Sequence, residues 1–110
     1  LLIHEALSET LVAMMREAAA AAGRPGLAKI LGDIPGYHTT PEQAAEQAQK
    51  ADVRMLALNH IVPAMPFGAL EGPFLGRARE LFARPLRVTR DGEIYVLPAG
   101  SDAIDIRSAL

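Results

Sequence analysis

The stretch TPEQAAEQAQK, residues 40–50, narrows the fold of this chain more than any other. Thr40 is suited to an N-cap because its hydroxyl can accept from a first-turn amide. Pro41 occupies the first helical position, where a missing N–H costs nothing. Gln43 completes the T-x-x-Q order of a capping box. The helix so begun runs to about Lys50 and carries Ala44, Ala45 and Ala48 as a small-residue face, which lets it lie close against a sheet. VRMLALN (53–59) follows as a buried strand, and this alternation points to a layered α/β sheet with helices on its faces.

The rest of the chain fits that frame. LLIHE reads as a short strand, apolar until its polar end. SETLVAMMREAAAAAG reads as a helix capped by Ser8, with Glu9 at the positive end of its dipole and Gly23 and Pro25 as its stop. Leu11, Met14, Met15 and Ala18 follow helical spacing and are expected to face the core. GLAKIL supplies a short helical turn, GDIPGYH a loop that delivers His38, and IVPAMPFGALEGP a second loop. FLGRARELF reads as a third helix weakened by Gly76. PLRVTRDGEIYVLPAG reads as a hairpin turning at Asp91-Gly92, and SDAIDIRSAL is ambiguous. No internal repeat or second-domain linker interrupts the chain.

Composition then excludes function classes. Eleven Lys and Arg are scattered among thirteen Asp and Glu, so no basic stripe announces a phosphate-backbone binder. The absence of Cys removes disulfides, thiolate nucleophiles and Cys-ligated zinc, and leaves the compartment open. No apolar run approaches the roughly 20 residues of a membrane span, so no membrane partner is expected. The chain opens inside an apparent strand without an initiator Met. It therefore reads as a fragment, with further active-site residues expected upstream.

Three histidines are the candidates for chemistry: His4 in LIHEA, His38 in GYHTT and His60 in LALNH. Each sits at a strand end or before a helix, where ligands of open α/β sheets gather. A strand-end histidine is more often structural, and that reading is preferred for His4. His60 closes an apolar run before a Pro-rich loop, as a metal ligand presented from a rigid element would. Glu5 is either an exposed strand-end carboxylate or the group that orients a histidine. Thr39 and Thr40 are explained by capping, and Tyr37 by packing.

No G-x-S-x-G elbow, Walker A loop or G-x-G-x-x-G turn is present. The order HEA, then HTT before PEQAAEQAQKA, then LALNH resembles the C-terminal part of the metallo-β-lactamase-fold hydrolases, in the branch of ribonuclease Z and its arylsulfatase-like relatives. The resemblance covers most of residues 1–66. There a strand ends in H-E-A-T, a loop carries H-S-T before an Ala-rich helix, and a further strand ends in L-T-H. These match Leu2 to Ala6, His38 to Thr40 and Leu58 to His60. The resemblance implies the C-terminal third of an αββα sandwich. It also implies a metal-dependent hydrolase with two ions, usually zinc. His60 would be the last metal ligand, His38 the residue that protonates the leaving oxygen, and Glu5 its support.

The match departs from the family at Leu7, Thr39 and Asn59, which stand for Thr, Ser and Thr. After His60, IVPAMP replaces the S-x-R-Y of ribonuclease Z. Ile61, Val62, Met65 and Phe67 offer an apolar lining with no cation for a phosphate backbone. The expected partner is therefore a small-molecule phosphodiester, sulfate ester or related ester. RNA, as for a transfer-RNA 3'-processing endonuclease, stays open, as does a homodimer. The rival from another class is a non-enzymatic α/β binding module with structural histidines.

Overall fold

The computed structural model describes residues 1–66 and 68–110. Strands β1 (Leu2–Leu7), β2 (Leu56–Val62) and β3 (Leu86–Val88) form a parallel sheet in the order β1-β2-β3. Parallel neighbours need crossovers. The first contains α1 (Glu9–Ala21), α2 (Pro25–Asp33), a 3-10 turn at Ile34–Tyr37 and α3 (Pro41–Lys50). The second contains a 3-10 turn at Gly68–Leu70, α4 (Glu71–Leu75) and α5 (Ala78–Leu81). The fold is mixed α/β with a small sheet and helices, as the alternation predicts.

The capping box is complete. The Gln43 amide donates to Thr40 Oγ1 at 3.1 Å, and the Thr40 amide to Gln43 Oε1 at 2.9 Å. Ala44, Ala45 and Ala48 are fully buried against Ala6, Leu56 and Leu58 of the sheet, in a core completed by Phe74, Leu75, Ala78, Phe82 and Leu86. Side chains alternate along a strand. Ala6 therefore faces that core, while Leu7 faces a second cluster with Val12, Ala19, Ala28 and Leu31, where α1 packs on α2. Ile3, on the Leu7 side of β1, is 51% exposed, so this second helical layer covers only the far end of the sheet.

Several local expectations are corrected. Ser8 does cap α1, its hydroxyl accepting from the Leu11 amide at 3.3 Å, but the buried residues of this helix are Val12 and Ala19. Met14 and Met15 are exposed, at 62% and 43%, and so is Ala18; Leu11 is only half-buried. GLAKIL lies within a nine-residue helix, and GDIPGYH is largely ordered into the end of that helix and its 3-10 turn. IVPAMPFGALEGP is no simple loop: it begins in β2 and ends in α4. Its Phe67 lies outside the described residues.

FLGRARELF is split in two at Gly76, whose φ of +53° favours glycine. A Cβ there would stand 2.1 Å from Glu42 Oε1, the oxygen that accepts from the Arg77 amide at 3.2 Å. Glycine lets that carboxylate reach the backbone and hold the break. The Asp91-Gly92 turn also forms, but it joins two sheets. β3 pairs parallel with β2, whereas β4 (Glu93–Val96) pairs antiparallel with β5 (Asp105–Ser108), drawn from the ambiguous tail. No residue of β4 or β5 is buried. This ribbon helps raise the radius of gyration to 15.8 Å, against about 13 Å for a globule of this length.

Candidate functional site

The loop entering α3 is sewn to the end of β1. The Leu7 amide donates to the Thr39 carbonyl at 2.8 Å, and the Thr39 amide returns to Glu5 Oε1 at 2.7 Å. Thr39 is thus a bridge and no cap. Next to it, His38 Nδ1 lies 3.1 Å from Glu5 Oε2. An ionised carboxylate only accepts, so Nδ1 carries the proton and Nε2 of the neutral ring is left with a lone pair. Both side chains are partly shielded, 22% exposed for His38 and 30% for Glu5. Burial alone would raise the Glu5 carboxyl, but hydrogen bonds from Thr39 and His38 outweigh it and hold the group below its ordinary value of 4.5. Two residues 33 apart in sequence are therefore joined as a carboxylate–imidazole pair.

His60 is presented differently from its expected place at a strand end. β2 continues to Val62, and the register passes from Glu5 opposite Asn59 to Ala6 opposite Ile61. His60 is the extra residue of that step, with φ of +47°. A bulge re-aims a side chain, and a non-glycine residue at positive φ carries strain. The bulge faces the Glu5–Ala6 step, so it lies beside the Glu5–His38 pair at the C-terminal edge of the sheet. The His60 ring is exposed and makes no hydrogen bond among the described residues. It can accept a cation as one ligand. Among the described residues no three His, Cys, Asp or Glu side chains converge as a metal site, so that is its whole contribution.

The third histidine is structural in its contacts. His4 is half-buried, and its Nδ1 donates to the Glu5 carbonyl at 2.8 Å. Tyr37 is 69% exposed, its ring centroid 5.3 Å from that of His38 and tilted by 42°, so it shields one side of the imidazole rather than packing inside.

Of the expected apolar lining, Ile61 and Met65 border a cleft beyond the end of β2, whereas Val62 packs against the α1–α2 cluster. The same cleft is bordered by Arg90 from the turn after β3. That cation lies 30 residues beyond His60 in the sequence, and only the sheet order brings the two strand ends together. No helix among the described residues is long and apolar enough to cross a membrane. No protein-family model matches the sequence, and no curated protein matches it.

Proposed function

We propose that the chain forms one side of the active site of a metal-dependent hydrolase of the metallo-β-lactamase superfamily, as the C-terminal part of its αββα sandwich. The reaction is cleavage of a phosphodiester, sulfate ester or related ester in a small molecule. The observation that carries this reading is the Glu5–His38 hydrogen bond at the strand edge that also presents the His60 bulge. Glu5 holds His38 through Nδ1 and fixes its orientation, which leaves Nε2 as the atom through which the ring would pass a proton to a departing oxygen. His60 would hold one ligand position of a two-zinc centre, which when bound would supply Lewis-acid polarisation and lower the pKa of water.

The test separates these roles in the intact protein. His60→Ala should lower metal content and activity together. His38→Ala should retain metal and lose about 10²- to 10⁴-fold in turnover, the usual scale of general acid catalysis. Assay on aryl phosphodiesters, aryl sulfates and precursor transfer RNA fixes the substrate class. Efficient site-specific cleavage of the RNA with negligible turnover of the small esters would favour the endonuclease alternative.

One observation supports a second reading. Glu5 spends its other oxygen on the Thr39 amide, as a purely structural clamp in a binding module would. If His38→Ala left turnover unchanged while lowering stability, the clamp reading would replace the catalytic one.

A further inference from the structure

The cleft bordered by Arg90 has a volume of about 360 Å³, with Ile61, Met65 and Val88 as apolar lining and Glu71, Thr89 and Arg90 as its polar part. It sits at the C-terminal ends of β2 and β3. Along the order β1-β2-β3 it is therefore on the far side of His60 from the Glu5–His38 pair. Thr89 is anchored there, its amide donating to the Leu58 carbonyl at 2.9 Å and its hydroxyl to Asn59 Oδ1 at 3.4 Å. Arg90 thus leaves the sheet from a fixed point.

The charges of the cleft do not cancel. Glu71 is held by Arg79 at 3.1 Å, and Arg79 is itself anchored on the Leu86 carbonyl at 2.8 Å. Arg90 has no ion-pair partner among the described residues. A mixed lining, with Ile61, Met65 and Val88 on one part and a guanidinium outside any ion pair on another, is complementary to a small acid that carries an apolar ring. The volume lies at the lower end of small-molecule sites, which run from ~300 to 1,000 Å³, and leaves room for about one ring.

We infer that this cleft holds the organic part of the substrate, and that its occupant is a ring-sized apolar group carrying one carboxylate, bound by Arg90. The inference rests on the hydrolase reading and adds the substrate's chemical class to it. The planar guanidinium suits a carboxylate because it can offer two parallel N–H donors, while the ring rests on Ile61, Met65 and Val88.

The test is an NMR titration of the protein with phenylacetate and with its neutral counterpart phenylacetamide at low ionic strength, followed at the methyl groups of Ile61, Met65 and Val88. Both ligands should shift these methyls. The acid should bind about fivefold more tightly, the upper range for an exposed ion pair. Arg90→Gln should abolish that preference and Arg90→Lys should keep part of it. Equal affinities for acid and amide, shifts confined to other residues, or a preference that survives Arg90→Gln would overturn the inference. The comparison of acid with amide on the unaltered protein decides the matter even if a variant fails to fold. Binding is read without turnover, so an inactive protein that prefers the acid refutes only the hydrolase reading. An active protein with no such preference refutes only the occupant.

Discussion

Replacing Glu5 by Gln removes a charge while keeping the shape of the side chain, and the structure sets the size of the effect. The carboxylate accepts from the Thr39 amide at 2.7 Å and from His38 Nδ1 at 3.1 Å. Gln offers only one acceptor oxygen, so one of the two donors loses its partner and the other loses the help of charge. For partly shielded groups the combined cost is about 1–2 kcal/mol. Unfolding 110 residues releases roughly 0.23 kcal/mol/K of entropy, so the melting temperature should fall by about 4–9 °C at pH 7. The pH dependence has a definite sign. The folded-state pKa of Glu5 is lowered, so its contribution is fully present above the ordinary value of 4.5 and is lost as pH falls through the folded value. The gap between Glu5→Gln and the parent protein should therefore close on acidification. Melting curves by circular dichroism from pH 7 to pH 3 provide the assay. Equal stability at pH 7, or a gap that widens as pH falls, would refute the assignment of Glu5 as an ionised double acceptor.

Three further outcomes are expected. Leu58→Ala, at a fully buried position of β2, should cost about 2–5 kcal/mol in urea unfolding through the cavity it leaves. Thr40→Ala removes the cap oxygen of α3 and should cost about 1 kcal/mol by the same measurement. His60→Gly relieves the positive φ of the bulge and should stabilise the fold by up to ~1 kcal/mol, and under the proposed hydrolase function it should also lower metal content. Loss of stability in that variant would show that the His60 side chain has packing partners of its own.

How much of this was legible in the sequence depends on the range of the interaction. The Thr40–Gln43 box and the Ser8 cap are settled within three residues, and both form as read. The core face of α1 is not fixed by its sequence, because the apolar residues admit more than one stripe. Only packing against α2 selects Val12 and Ala19 and leaves the two methionines outside. The Asp91-Gly92 turn is a local signal and it appears, but the partners of the flanking strands are a tertiary choice. For the site, the joining of Glu5 to His38 could be expected only through the family resemblance, since no spacing rule links residues 33 apart. The bulge at His60 has no sequence mark. Arg90 carries no sequence mark either, because its cleft exists only where two parallel strands end side by side.

The β4–β5 ribbon joins the rest of the molecule through charge more than through buried carbon. Arg87 pairs with Glu93, whose other oxygen accepts from the Tyr95 hydroxyl, and Arg54 meets Asp102 at 2.6 Å with both side chains largely exposed. A two-stranded ribbon is only marginally stable alone, and exposed ion pairs weaken as salt shortens the Debye length to about 3 Å at 1 M. Hydrogen exchange should therefore divide the chain into two tiers. Amides of β1, β2 and α3 are released only by global unfolding, while those of β4 and β5 open at lower free energy and faster as ionic strength rises. Salt should therefore act on the exposed Arg54–Asp102 pair more than on Arg87–Glu93, whose carboxylate is only 10% exposed, and the ribbon begins at Glu93, immediately after the Asp91-Gly92 turn beside Arg90.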